Sequence, residues 1–249
     1  MGLTDYNVYI MDKREKLKYT VIAAFALFLP AILFFDNIVI AALIALGSIF
    51  YPKYKAGELL IKRKAELNLQ FKDALYSLSS SLGVGRSLES SFKCVLSDLR
   101  MLYPADDTHI IRELMFICRS IELNEPVENA LADFAQRSGL EDVKNFADVV
   151  MVCKRTGGNL VQVAKNSAAI IGDKIEISQD IELLLSRQKY EQKILNIMPV
   201  VFVALIRYGG SGYMDALYSS IRGYLVIAVA LAILAASHFV SKKILDIRV

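Results

Sequence analysis

Two kinds of hydrophobic pattern alternate along the chain. Near both ends, apolar residues form long runs with almost no charge, whereas in the middle they recur every three or four positions among polar residues. The first pattern is typical of helices that enter a membrane, and the second of amphipathic helices that pack in a soluble bundle. No run alternates with the period of a β-strand. The sequence therefore predicts an all-α integral membrane protein.

The middle of the chain, residues 53–193, is predicted to form a cytoplasmic bundle of six helices. In its third helix, for example, Ile110, Leu114 and Ile117 mark one apolar face. Residues that break helices separate the segments, and the short loops between them favour antiparallel neighbours.

Three of the separating turns share one local pattern, in which a turn residue precedes an apolar residue and a helix start. The residues of these helix-start turns are Gly85, Asn124, Pro126, Gly157 and Gly158. Ser87 and Asn159 suit helix N-caps, and Pro126 suits a first helical position. Two interpretations stay open, namely three independent helix corners or a domain built by repetition of a helix hairpin.

The apolar run over residues 19–51 predicts a hairpin of two membrane spans. Asp36 is the only charge in this run, and we expect the chain to fold back at Asp36 and Asn37. A signal peptide is the alternative interpretation of the first span. A retained anchor is favoured because the run continues into a second apolar segment with no small-residue cleavage site between them.

A second pair of spans is predicted over residues 194–240. Residues 194–206 and 224–240 carry no charge, and Pro199 lies within the first of these runs. Since proline removes a backbone hydrogen bond inside a helix, we expect a kink there.

One long helix is expected to join the soluble bundle to this second pair. No proline interrupts residues 159–198, and Ile170, Ile177 and Leu184 recur at helical spacing. We expect this stripe to pack on the soluble bundle. No flexible linker rich in glycine, serine or proline separates the two regions.

Basic residues predict the orientation in the membrane. Lysines and arginines lie before the first and third spans and after the second and fourth, whereas the turns on the other side hold only Arg207 and Arg222. Because an excess of Lys and Arg marks the cytoplasmic side, the N-terminal segment 1–18, the central domain and the tail 241–249 are all expected in the cytoplasm.

Composition and motifs exclude several classes of function. The 249 residues carry a net charge of +3, too small to indicate a nucleic-acid partner, and the three cysteines show no Cys-x-x-Cys spacing. His109 is expected to be a solvated surface residue, and Glu113 to pair at the surface with Arg112 and Arg119. No phosphate-binding loop, metal site or catalytic group is recognised, so we expect a protein that is not an enzyme and uses no cofactor.

The helix starts at Gly85 and Gly157, the long charged helix and Pro199 together resemble a known family. They are similar to the platform proteins of type II secretion and type IV pilus machines, which carry the type II secretion F domain. With one such domain and two pairs of spans, the chain looks most like the B and C membrane proteins of tight-adherence (Tad, Flp) pili. Asn124 stands where that family usually has glycine. Larger members carry two copies of the domain, which favours assembly with further copies or with a paralogous platform protein.

The resemblance implies a scaffold in the cytoplasmic membrane, in contact with lipid. Such a scaffold would bind a hexameric cytoplasmic secretion ATPase and handle pilin or pseudopilin subunits. We expect Arg86, Lys154 and Arg155, exposed charges beside the helix-start turns, to contact the ATPase. The alternatives are a small four-span transporter, which would need ionisable residues within its spans, and a membrane-tethered signalling module.

Overall fold

The chain is helical throughout the part that the structure describes. The structure, a computed structural model, describes residues 4–105, 107–209, 218 and 221–245, and no β-strand occurs among them. The all-α prediction is therefore confirmed. In chain order the α-helices are α1 Lys13–Phe35, α2 Ile38–Leu46, α3 Tyr51–Gly83, α4 Leu88–Leu102, α5 His109–Glu122, α6 Val127–Ser138, α7 Glu141–Thr156, α8 Leu160–Gly209 and α9 Ile221–Leu245, and a short 3-10 helix, Gly47–Phe50, joins α2 to α3.

The helices belong to two compact units. Unit 1 consists of residues 1–10 and 56–177, and unit 2 of residues 11–55 and 178–249. Both α3 and α8 contribute residues to each unit. The N-terminal segment, which the sequence analysis treated as one piece up to residue 18, is divided between the two units.

Unit 1 has one continuous apolar core. Helices α3 to α8 all contribute buried side chains to it, because each presents apolar residues at steps of three and four. Aromatic rings lie near its centre, where Phe71 on α3 contacts Phe134 on α6 and Phe146 on α7 edge-to-face, with ring centroids 5.9 and 5.7 Å away. Such pairs add to the stabilisation from burial alone.

Two of the predicted N-caps are confirmed. The Ser87 hydroxyl accepts a hydrogen bond from the Ser90 amide, and the Asn159 side chain accepts one from the Gln162 amide, both at 3.2 Å. The prediction for Pro126 was wrong by one position, since Pro126 is itself the cap of α6 and the helix begins at the next residue. Proline cannot donate a backbone hydrogen bond, and a cap residue does not need to.

The stripe by which α8 packs on unit 1 differs from the predicted one. Its buried residues are Ala164, Ala168 and Ile171, whereas Ile170 and Ile177, which the sequence analysis assigned to the packed face, are exposed. Small side chains let the backbones of neighbouring helices approach closely. α8 thus carries more than one apolar stripe, and the packing of unit 1 selects the one that combines two alanines with Ile171.

A buried polar cluster was also missed by the sequence analysis. Glu113 is 1% exposed and pairs with Arg137 of α6, so the predicted surface pairing with Arg112 and Arg119 was wrong. Glu113 lies three residues after Ile110 and therefore on the apolar face of α5, a position that could have signalled burial. The prediction for His109 was wrong as well, because its ring is half-buried.

Within unit 2, α1 and α2 form the expected hairpin. Asp36 adopts a left-handed conformation with φ 47°, and the Asn37 side chain caps α2 by accepting hydrogen bonds from the amides of Val39 and Ile40. Arg207, near the end of α8, forms an ion pair with Asp36 and donates to the carbonyl of Leu33 at 3.1 Å. The predicted turn between the first two apolar segments is thus confirmed.

Two helical segments are long and apolar enough to cross a membrane by length and composition. They are α1 and the run Ile38–Gly83, which begins with α2. Both overlap the first predicted pair of spans, although the second segment continues as helix past residue 51 instead of ending there. Both segments are therefore candidate membrane spans.

The second predicted pair is less evident among the described residues. Arg222–Ser237 in α9 is apolar but shorter than the two segments above, and residues 194–206 lie within the longer, partly charged α8. α8 is a single helix that continues through Pro199. Residues 210–217 and 219–220, which belong to the predicted turn between the third and fourth spans, lie outside the described residues, as do residues 246–249 of the predicted tail.

Candidate functional site

The three predicted helix-start turns all contain a residue in the left-handed conformation. The φ angles are 86° at Gly85, 58° at Asn124 and 72° at Gly157. Glycine adopts this conformation without steric cost, and asparagine is among the few other residues that tolerate it. Asn124 therefore provides the same left-handed turn conformation as the two glycines. The three turns share a sequence pattern because they share this backbone conformation.

The three turns lie at one end of unit 1, where ion pairs connect residues next to them. Lys154, in the last turn of α7, lies 2.8 Å from the Glu128 carboxylate at the start of α6 and 3.4 Å from that of Glu89 at the start of α4. Lys93 of α4 lies 3.8 Å from Glu122 at the end of α5. We call this surface, formed by residues 84–89, 122–128 and 152–160, the turn end.

Close packing fixes the last of these turns. A Cβ atom placed on Gly158 would lie 2.7 Å from the sulfur of Cys153 and 3.2 Å from its Cα atom. The Gly158 amide donates to the Cys153 carbonyl at 2.9 Å, which closes the end of α7. Both glycines of this turn are thus required, Gly157 by its backbone angle and Gly158 by lack of space.

Substitution of Asn124 tests whether the left-handed turn determines the geometry of the turn end. Asn124→Val should lower the free energy of unfolding of unit 1 by about 1–3 kcal/mol, because a β-branched residue is strained at positive φ. The matched variant Asn124→Gly should stay within about 1 kcal/mol of the native chain. Urea unfolding in detergent measures both values, and equal losses in the two variants would contradict this account.

Lys154 is exposed, but its ammonium group forms ion pairs within unit 1. The hydrogen bond to Glu128 is the main reason why the pKa of Lys154 is raised. Partial burial, the largest single influence, acts to raise the pKa of Glu128, but the hydrogen bond from Lys154, a backbone hydrogen bond and the charges of Lys154 and Arg155 together lower it. Lys154 therefore joins α4, α6 and α7, and it is the least available of the three predicted contact residues.

Arg86 and Arg155 are differently placed. Arg86 is exposed and donates a hydrogen bond to the sulfur of Cys94, with no carboxylate partner among the described residues. Arg155 is exposed next to Lys154, and within the same described ranges it forms no ion pair. Both guanidinium groups can therefore bind a carboxylate of a partner protein in a bidentate manner.

Exposed apolar side chains also belong to the turn end, and they were not predicted from the sequence. Val84 is 79% exposed and Leu123 is 66% exposed, each directly before the left-handed residue of its turn. Val152 is also exposed, one helical turn before the end of α7. For Val84 and Leu123, the position directly before a turn residue is the sequence signal that could have identified them as exposed.

The turn end has the chemistry of a protein-binding surface. It combines exposed apolar side chains with two arginines for which the described residues supply no carboxylate partner. Arginine is enriched where proteins bind one another. The Ser87 hydroxyl is used to cap α4, and the part of the turn end that the structure describes holds no histidine. The exposed apolar and basic side chains of this surface suit the binding of a partner protein.

Comparison with known proteins finds no matching protein family, curated protein or solved structure. The resemblance to secretion and pilus platforms therefore stays a prediction from the sequence.

Proposed function

We propose that this chain is a non-enzymatic, multi-pass platform protein of the cytoplasmic membrane. It would serve a type IV-like (Tad or Flp) pilus or a type II secretion machine, where it couples a hexameric cytoplasmic ATPase to pilin assembly or export. In this proposal unit 1 and both chain ends lie in the cytoplasm, as the distribution of lysine and arginine predicts.

The observation that carries the proposal is the continuity of α8. This helix contributes Ala164, Ala168 and Ile171 to the core of unit 1 and continues without a break to Gly209, in the apolar part of unit 2. A continuous helix can transmit a rotation or displacement along its axis, whereas a flexible linker cannot. A protein that passes mechanical work from a cytoplasmic motor to membrane helices needs such an element.

Further features support the domain architecture of the proposal. Six helical segments, from α3 to α8, supply the core of unit 1, in keeping with a six-helix domain of the F type. The run 194–206 in α8 and the stretch Arg222–Ser237 in α9 would provide the third and fourth spans. Pro199 would then lie within a membrane helix, where neighbouring helices can compensate for the lost hydrogen bond.

The turn end is the proposed contact surface for the ATPase. Arg86 and Arg155 are proposed to bind acidic residues of the motor, and Val84 and Leu123 to bury apolar area beside them. Lys154 is proposed to act indirectly, by holding three helices together. Pilin subunits, membrane lipid and a second copy or paralogue are the other proposed partners, and they would contact unit 2.

Crosslinking in native membranes tests the proposal. We expect a hexameric secretion ATPase and a related platform protein among the crosslinked partners of the native chain. The double variant Arg86→Glu/Arg155→Glu should lose most of the crosslinked ATPase, because it reverses two charges that have no carboxylate partner within unit 1 as described. Expression and thermal stability should change little, since neither arginine forms an ion pair with a described residue and the Arg86–Cys94 hydrogen bond lies at the surface.

A matched control reverses two exposed lysines of unit 1 away from the turn end. Lys62 lies in the first part of α3, and Lys144 in the first turn of α7. Lys62→Glu/Lys144→Glu changes the net charge equally and should leave the crosslinked ATPase intact. Absence of any ATPase from the native chain's partners would refute the platform proposal. Equal loss in both double variants would instead refute the contact surface alone.

A further inference from the structure

The N-terminal segment, residues 4–10, lies on unit 1 at the end opposite to the turn end. It has no regular secondary structure, and one side chain provides most of its burial. Tyr6 is fully buried, whereas Val8 is 55% exposed and Ile10 84% exposed. One core side chain thus anchors the segment, together with a few polar contacts near the surface. Segments with so few buried side chains open more readily than the helices beneath them.

The attachment point is the ion pair between Glu113 and Arg137. The Tyr6 hydroxyl donates to Oε1 of Glu113 at 3.0 Å, and the two Nη atoms of Arg137 donate to the same carboxylate at 2.8 and 2.6 Å. Arg137 also donates to the backbone carbonyl of Thr4 at 3.3 Å. Arg137 and Glu113 remain paired through two hydrogen bonds when Tyr6 is released. Release therefore leaves no buried charge without a partner of opposite charge.

Backbone contacts give the docked segment a defined register. The Tyr6 amide donates to the Arg137 carbonyl at 3.0 Å. The Asn7 side chain donates to the carbonyls of Gln136 and Arg137 at 3.2 Å each, and it accepts from Lys64 at 2.8 Å. These bonds are polar and close to solvent, so water can replace them at little cost.

His109 lies directly against the docked tyrosine. The two rings meet edge-to-face with centroids 5.4 Å apart, and Nδ1 of His109 is buried without a hydrogen-bond partner among the described residues. His109 is also the first residue of α5, where the helix dipole disfavours a positive charge. A proton on this imidazole would therefore be destabilised while Tyr6 is in place.

We propose that residues 4–10 form a releasable latch, docked through Tyr6 on the Glu113–Arg137 pair and released by acid through His109. Only Met11 and Asp12 separate the latch from α1. Release would free the amino end of α1 from this attachment, which makes docking a means of regulating the first apolar helix. This inference does not depend on the proposed function.

The charges around His109 support release at low pH. Burial lowers the pKa of His109, and the positive charges of Arg63 on α3 and Arg112 on α5 lower it further, while Glu66 and Asp107 oppose them. Release exposes the ring and returns its pKa toward the ordinary value of about 6.5. The released state then binds the proton more strongly, so docking is fully stable above about pH 6.5 and weakens as the pH falls below it.

Hydrogen exchange of the full chain in detergent tests the latch. The protection of residues 4–10 is measured relative to that of α5 in the same molecule, which cancels the intrinsic pH dependence of exchange. We expect lower protection in the latch than in α5 at about pH 8. Below about pH 6.5 the relative protection should fall, by at most tenfold for each pH unit because one proton is involved.

Three variants make the test specific. His109→Gln removes the titration and should give latch protection that no longer varies with pH. Tyr6→Phe removes the hydroxyl that donates to Glu113 and should lower protection about tenfold or more, since hydrogen bonds to charged groups are strong. The control Tyr9→Phe keeps the ring that lies 4.3 Å from the Arg63 guanidinium and should change little.

Three results would overturn the proposal. The first is exchange of residues 4–10 at the rate of α5 at every pH, which would make the segment a permanent part of the core. The second is an unchanged pH dependence in His109→Gln. The third is equal protection in the Tyr6 and Tyr9 variants.

Discussion

Replacement of Arg137 by methionine should lower the free energy of unfolding of unit 1 by about 3–5 kcal/mol, the typical cost of removing one partner from a buried ion pair. Glu113 is 1% exposed and receives two hydrogen bonds from Arg137. Without the arginine, its carboxylate would stay buried with only the Tyr6 hydroxyl as a donor. The chain must then either protonate Glu113 or open to water, and both cost free energy.

The buried thiol of Cys118 gives a readout that is specific to unit 1. Cys118 lies on α5 in the core, and burial raises the pKa of its thiol to about 11. Because the thiolate is the reactive form, the thiol reacts slowly until unit 1 unfolds. Thiol labelling of Cys118 across a urea series therefore measures the unfolding of unit 1 in the presence of unit 2.

Two controls separate the ion pair from general effects of charge. Asp133→Asn removes the second, half-exposed partner of Arg137 and should cost less than about 1 kcal/mol. The double variant Glu113→Gln/Arg137→Met removes both charges and should recover part of the lost stability. If Arg137→Met and Asp133→Asn had the same small effect, the buried pair would not contribute to the stability of unit 1.

Replacement of Phe134 by alanine is the second change with a large expected effect, also about 3–5 kcal/mol. Phe134 is fully buried on α6, and its ring packs edge-to-face on that of Phe71. Truncation removes this contact and leaves a cavity, because the surrounding helices relax only partly. The Cys118 labelling assay measures the loss.

Val152→Ala is the matched control for the core substitution. Val152 lies on α7 and is exposed, so its truncation should change stability by no more than about 0.5 kcal/mol. We also expect α1 and α2 to keep their helical signal when Phe134→Ala unfolds unit 1, since their buried residues form a separate apolar cluster. A similar loss for the two truncations would contradict the assignment of the core.

The turns of the candidate site were predictable because their chemistry is local. A left-handed residue followed by a helix cap is encoded within four or five positions, and this is why Gly85, Asn124 and Gly157 were identified. Their convergence at one end of unit 1 was not encoded in that way. It depends on the packing of the helices, which places the starts of α4 and α6 beside the end of α7, where Lys154 pairs with Glu89 and Glu128.

The sequence by itself determined the all-α class, most helix positions and the hairpin at Asp36 and Asn37, since helical periodicity and capping act over a few residues. Only the tertiary structure decided which apolar stripe of α8 packs, since Ala164, Ala168 and Ile171 are buried while Ile170 and Ile177 are exposed. The tertiary structure also decided that Glu113 is buried, since its charge is compensated there by Arg137. Such pairings join distant residues through three-dimensional packing, and no local pattern specifies them.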